Sequence, residues 1–264
     1  MTQTPPRSAE RESGRIKSVE VGYRVLLAVQ MGPGSVRLAD IARRSGLGSG
    51  AAHNYLVSLV STGLVEQDGR GRYRLGPSAF ALSLASFRQL NGYDVLRNEA
   101  DALQRLTDQT TSISVWSQAG PVAIYMQLGK NWTTPEVRPG LFPMLTTGAG
   151  SVFLAYLPEH ETRDLLAREL EETGSERSVD DTLVTVRETV LPKRYARVKH
   201  PDTPAYALSV PVWTNDGHLR FALTIIIHGL VEADVESRWL RELSASAHRA
   251  SLLLSNTGLA VARR

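Results

Sequence analysis

Apolar residues recur at helical spacing through the first third of the chain. Val21, Val25, Leu26 and Val29 share one face of a segment from Ser18 to Met31, with Ser18 placed to cap it and Gly32-Pro33-Gly34 to stop it. A short helix is predicted from Leu38 to Ser45, ended by Gly46, and a third from Ser49 to Thr62, ended by Gly63. On that third helix Ala52, Tyr55, Leu56, Leu59 and Val60 form one face. Gly50, Ala51, Asn54, Val57, Ser58 and Ser61 form a small, polar one. Leu64–Glu66 and Arg72–Leu75 read as two strands around the turn Asp68-Gly69-Arg70-Gly71. Amphipathic helices are predicted over Ser78–Leu90 and over Tyr93–Gln109, the latter with Val95, Leu96, Leu103 and Leu106 inside.

Beyond residue 110 the period changes. Ile113, Val115, Val122, Ile124, Met126 and Leu128 alternate about a Gly120-Pro121 turn, as in a hairpin. Gly148–Leu157 reads as an apolar helix ended by Pro158, and Glu159–Glu172 as a charged, exposed one. Leu183–Val198 has helical spacing broken or kinked at Pro192. Tyr206–Val212 and Leu219–His228 flank Asn215-Asp216-Gly217, a strong hairpin signal, and Val231–Asn256 forms a terminal helix. The fold class is α+β, with an antiparallel sheet in the C-terminal part.

Two helices joined by a glycine turn and followed by a basic hairpin have the layout of a winged helix-turn-helix, which sets one helix in the DNA major groove. The charge distribution agrees. Residues 1–90 hold 12 Lys/Arg against 6 Asp/Glu, whereas residues 91–264 hold 18 against 21. A basic head suits a phosphate backbone. The polar N-terminus has no apolar core, so it reads as a disordered arm and not a signal peptide. The densest apolar run, Ala222–Ile227, falls well short of the ~18 residues of a membrane span. With no cysteine, disulfides, thiol nucleophiles and cysteine-based zinc sites are excluded, which fits a cytoplasmic protein.

Catalytic chemistry finds little support. The six histidines, at 53, 160, 200, 218, 228 and 248, include no pair at zinc-site spacing. Gly148-x-Gly150 lacks the third glycine of a dinucleotide loop, and neither Gly-x-Ser-x-Gly nor a P-loop occurs. Asp180-Asp181 reads as a solvated pair in a polar loop. No enzyme activity, metal or cofactor is expected.

Four stretches in order resemble the IclR-type bacterial transcriptional regulators: SVEVGYRVLLAV, LADIARRSGL with AAH and LVSTGLVEQDGRGRYRLGP, PMLTTGAGSVFLAYLP, and SVPVWTNDGHLRFALTI. The resemblance implies a winged helix-turn-helix over residues 15–77 after the arm of 1–14. A linker helix over 78–91 and a GAF-like effector-binding domain over 92–264 would follow. It also implies homodimers or tetramers on palindromic double-stranded operators near catabolic genes, with a small-molecule effector and no membrane partner. Ser49, Gly50, Ala51, His53, Asn54 and Ser58 are then the groove-facing candidates, and Arg43, Arg44, Arg70, Arg72 and Arg74 the phosphate contacts. His53 matches the family pattern. Gly50-Ala51 stand where Ser-Thr is usual and Asn54 where Arg is usual; an Asn can read adenine bidentately.

Thr146-Thr147-Gly148-Ala149-Gly150 opens a helix, whose first N–H groups suit a carboxylate. The resemblance makes this turn the effector site, with Leu145, Trp116, Ala207, Thr224 and Ile226 around it and Met144 and Tyr125 as further candidates. Ala207 replaces a usual cysteine, Ile226 a polar residue and Ser151 a usual Lys, which points to an acid larger or more apolar than two- or three-carbon acids. A ligand- or protein-binding module with lost or altered DNA recognition is the alternative reading.

Overall fold

The computed structural model describes residues 15–30, 34–90, 92–130, 139–201, 203–214 and 217–261, with side chains to residue 254. The expected arm of residues 1–14 and Asn215-Asp216 of the expected turn lie outside the described residues. The chain divides into two compact units, one ending at Leu90 and one following it.

The first unit runs α1 (Lys17–Gln30), α2 (Leu38–Ser45), α3 (Ser49–Ser61), β1 (Val65–Gln67), β2 (Tyr73–Leu75) and α4 (Pro77–Gln89). Val25 of α1, Ile41 of α2 and Leu56 of α3 are each fully buried, and Val65 and Tyr73 close the same core from the hairpin. Each such side chain contributes about 1.5–3 kcal/mol on burial. Gly46 ends α2 with φ 70°, a left-handed turn that an L side chain enters only at a cost of roughly 1–2 kcal/mol. Its N–H bonds back to Ala42 and Arg43 while the chain redirects into α3. Pro77 opens α4, where its missing N–H costs nothing, and α4 buries none of its residues. Two expectations change here. Helix α1 begins at Lys17, so Ser18 lies inside its first turn and not at its cap, and Val60 is 39% exposed instead of joining the core face of α3.

The second unit is a six-stranded antiparallel sheet in the order β5-β4-β3-β8-β7-β6. Its elements are α5 (Tyr93–Thr107), β3 (Thr110–Ser117), β4 (Gly120–Gln127), β5 (Gly140–Leu141), α6 (Gly148–Tyr156), α7 (Glu159–Glu172), α8 (Val179–Val190), β6 (Ala196–Lys199), β7 (Ala205–Trp213), β8 (Leu219–His228) and α9 (Ala233–Val261). Helices cover both faces. Thr111 of β3 donates its hydroxyl to Ala100 O of α5, and Trp213 N donates to Ser251 Oγ of α9. On the opposite face α6 packs Ala149, Val152 and Phe153 over Ala222 and Trp116. Strand β8 is therefore buried on both sides, as in Ala222 toward α6 and Leu223 on the opposite face.

Four sequence expectations are corrected. Only β3 and β4 up to Ala123 keep simple alternation, because the register shifts between Ile113 and Ser114 and leaves Ile124 as an extra residue in β4. Val122 and Met126 thus lie on opposite faces, and Leu128 is exposed. On α5 the buried residues are Leu96, Ala100, Leu103 and Thr107, with Leu106 exposed. The segment Leu183–Val198 is not one helix: α8 ends at Val190 and β6 follows the turn that contains Pro192. Helix α7 is amphipathic and not simply exposed, with Thr162, Leu166 and Leu170 buried.

Candidate functional site

Helix α3 buries Ala52 and Leu56 and exposes Ser49, Gly50, Ala51, His53, Asn54, Val57 and Ser58. Gly48 precedes it in extended conformation with no side-chain cap, so the first turn offers backbone donors outward. A Cβ at Gly50 would meet nothing within 4 Å, so packing within this unit does not demand a glycine there. Ser58 Oγ donates to Asn54 O at 3.2 Å and keeps its acceptor capacity. The hairpin is built on Asp68, whose Oδ1 accepts from Arg70 N and Arg72 N at 2.9 Å each. Those bonds, that from Arg72 foremost, hold the carboxyl below its ordinary range. Arg43 pairs with Asp40 at 3.3 Å and Arg74 with Glu66 at 2.5 Å. The Arg44, Arg70 and Arg72 side chains form no ion pair among the described residues.

A cavity of about 330 Å³ lies in the second unit, between the start of α6 and strands β3, β5, β6, β7 and β8. Thr147 caps α6: its Oγ1 donates to Pro143 O at 2.5 Å and accepts from Gly150 N at 3.1 Å. Ser151 N bonds Thr147 O, which leaves the N–H groups of Gly148 and Ala149 without a hydrogen-bond partner among the described residues. Both residues line the cavity. Helix α6 can sit this close to the sheet because Gly148 has no side chain; a Cβ there would stand 2.3 Å from Ser209 Oγ and 3.2 Å from Ala207 Cβ. Gly150 is held equally close to the preceding turn, 2.3 Å from Met144 O for the same hypothetical atom. That turn is strapped from behind by α7, where the Glu169 carboxylate accepts from Met144 N at 2.8 Å and Leu145 N at 2.9 Å.

The cavity wall is apolar at Leu141, Phe142, Val198, Ala207 and Ile226, and polar at Ser112, Thr146, Thr147, Thr224 and His200. No Asp or Glu lines it among the described residues. At its edge Tyr206 donates to Glu236 at 2.6 Å, beneath the Arg197 guanidinium 4.1 Å from the ring centre. Burial, then the bond to Glu236, pushes the Tyr206 phenol up to about 12. Burial, then repulsion from His200, holds the His228 imidazole below its ordinary range.

Of the residues expected around the effector, Thr146, Thr147, Gly148, Ala149, Ala207, Thr224 and Ile226 share this cavity. Gly150, Leu145 and Trp116 do not line it. Gly150 packs on Met144, Leu145 N is bound by Glu169, and Trp116 lies against Phe153 with ring centres 5.6 Å apart. Met144 is buried with Leu154 and Leu166. Tyr125 is on the far face of the sheet, bonded to Asp101 of α5. Sequence reasoning missed Ser112, His200 and Tyr206, whose strands converge only in the fold. It also missed Glu169, one acid among several on a charged helix. Asp180-Asp181 lies in the first turn of α8, not in a loop, with Asp181 N accepted by Ser178 and Asp180 paired to Arg163. Among the described residues no group of three or more His, Asp or Glu is placed to hold a metal ion, and no helix is long and apolar enough to cross a membrane.

Residues 18–69 match the IclR helix-turn-helix domain. The chain is 28% identical over 195 residues to the probable HTH-type transcriptional regulator ArcR of Halobacterium salinarum, a match covering 70% of this chain and 73% of that protein. It is 28% identical over 160 residues to the transcriptional repressor IclR of Escherichia coli, covering 59% and 58%. Its fold is similar to that of an IclR homolog from Microbacterium hydrocarbonoxydans crystallised in complex with 4-hydroxybenzoate. There the TM-score is 0.66 at 19% identity, over 90% of this chain and 98% of the other.

Proposed function

We propose that this chain, whose residues 18–69 match the IclR helix-turn-helix domain and whose relatives are transcriptional regulators, is an IclR-type regulator that senses an organic carboxylate with an apolar body and answers by changing its grip on operator DNA. The relatives are regulators and not enzymes, so the cavity is a sensing site. One observation carries the carboxylate assignment: Gly148 and Ala149, whose N–H groups have no partner among the described residues, line a cavity in which no described residue is acidic. A helix start with free donors favours an anion. The apolar wall, including Ala207 and Ile226, favours an acid with a hydrocarbon or aromatic body. The aromatic acid held by the Microbacterium homolog is of that kind.

The same reading assigns α3 to the major groove and the Asp68–Arg72 hairpin to the phosphate backbone. A second copy of the chain is the partner for α4, whose Phe80, Leu82 and Leu84 are 67%, 62% and 48% exposed. Two heads related by symmetry would read a palindrome, near genes that consume the effector, in the cytoplasm. The test is fluorescence anisotropy of the protein on its own upstream DNA, with and without a panel of aromatic and acyl carboxylates. An active acid shifts the DNA affinity, and DNA shifts the acid's affinity by the same factor. A panel in which only two- or three-carbon acids act refutes the apolar-body reading. DNA binding that depends on salt but not on sequence would favour a module with altered DNA recognition.

A further inference from the structure

We propose that Ser112 is a specificity-determining residue of this cavity, selecting acids that carry a hydroxyl on their apolar body over the same acids without one. The proposal rests on the carboxylate reading above and adds a second polar contact away from the carboxylate. Ser112 is 2% exposed and lines the cavity. None of the described residues forms a hydrogen bond with its hydroxyl, which therefore differs from its neighbours. Thr111, the adjacent residue on β3, gives its proton to Ala100 O at 3.0 Å. Thr107 returns its own to Leu103 O at 2.7 Å. Across the strand pair Thr224 faces Ser112, but its hydroxyl is joined to Ser209 Oγ at 2.7 Å.

A hydroxyl taken out of water without a partner is disfavoured. Ser114, two residues along the same face, also lacks a partner, but it lies off the cavity and can meet no ligand. Of the buried residues described in the cavity wall, Ser112 is the one whose hydroxyl has no protein partner; Thr146, also in the wall, is exposed. Strand alternation sets it on the α6 side of the sheet, with Thr224, Ile226 and Ala207. A ligand whose carboxylate sits at Gly148 and Ala149 brings its body across that wall, where a hydroxyl on the body completes the Ser112 pairing. Sites built to pair a ligand hydroxyl discriminate strongly against the analogue lacking it, because the protein group is then left unpaired.

The experiment is isothermal titration of the full-length protein with matched acids: benzoate against its 3- and 4-hydroxy derivatives, and hexanoate against 6-hydroxyhexanoate. In the unaltered protein one hydroxylated member binds about 10-fold or more tighter than its parent. Ser112→Ala abolishes that preference, leaves the parent acid's affinity within about 2-fold, and melts no lower than the unaltered protein, since it removes an unpaired group. Equal weakening of both members by Ser112→Ala overturns the proposal, as does a preference that survives the substitution. If the unaltered protein binds parent and hydroxylated acids alike, Ser112 loses its role while the carboxylate reading stands. If no acid of either series binds, both fall together.

Discussion

Gly150→Ala tests the construction of the cavity rim most directly. In an unconstrained helix the change would help, since alanine is favoured over glycine by about 1 kcal/mol. Here the new Cβ would lie 2.3 Å from Met144 O, 2.5 Å from Met144 Cα and 2.7 Å from its carbonyl carbon. Relief requires roughly 1 Å of movement to restore ordinary contact distances. The obstacle is backbone, and it cannot turn aside, because Met144 N and Leu145 N are both bound by Glu169 and the Met144 side chain is buried. The cost sits at the upper end of overpacking, about 3 kcal/mol, and the net loss after the propensity gain is about 2 kcal/mol. Gly148→Ala is the internal comparison. Its nearest obstacle is a hydroxyl, Ser209 Oγ, which can rotate and forfeit its 2.7 Å bond to Thr224, worth about 1 kcal/mol. Thermal melts followed by circular dichroism report both. In a unit of this size 1 kcal/mol moves the midpoint by about 2–4 °C, so Gly150→Ala should melt about 4–8 °C low and Gly148→Ala less so. A Gly150→Ala protein that melts at or above the parent, or a Gly148→Ala protein that falls further, would refute the reasoning.

Three further outcomes are expected. Glu169→Gln keeps one acceptor but turns a donor toward the second backbone N–H, which should destabilise the unit by about 2 kcal/mol and weaken carboxylate binding; calorimetry showing unaltered affinity would separate the strap from the site. Asn54→Ala should weaken operator binding by about 1–3 kcal/mol while leaving binding to unrelated DNA unchanged, and equal losses in a salt titration on both DNAs remove Asn54 from base reading. Tyr206→Phe addresses pH. With its phenol pushed up to about 12 against about 10 when unfolded, Tyr206 stabilises the fold fully below pH 10 and loses that contribution as pH rises to 12. The Phe variant should melt below the parent at pH 8 for want of the Glu236 bond, and the gap should close between pH 10 and 12; a constant gap contradicts the assignment.

The head was legible in the sequence because its determinants are local. Leu38–Ser45 and the Gly46 turn are set by spacing and by one glycine, and the structure keeps those bounds. The rim turn was legible for a similar reason, since Thr147 and three small residues mark a capped helix start. What escaped depends on partners distant in the chain. β6 is four residues long and becomes a strand only by pairing Val198 with Ala207, so its helical spacing misled. The extra residue at Ile124 reverses the faces of β4 and sets Tyr125, a further candidate for the cavity, on the far side of the sheet. Ser112 sits in a run of hydroxyl residues, TTSIS, where nothing local separates the hydroxyl that braces a helix from the one that faces the cavity. Trp116 shares Ser112's face but stands farther along it, under α6, where Phe153 takes up its ring.

The strap from Glu169 to the rim has a consequence for how such a sensor is adjusted. Helix α7 holds the turn that presents the two N–H donors, yet none of its residues lines the cavity. If the cavity takes the proposed carboxylate, how firmly the acid is gripped and which acid is admitted would be controlled from different parts of the chain. On the proposed function, substitutions around Glu169 would raise or lower the effector concentration to which the protein responds, while those at Ser112, Ala207 or Ile226 would change the effector's identity. A gene duplicated into a new setting could be retuned along either axis without disturbing the other.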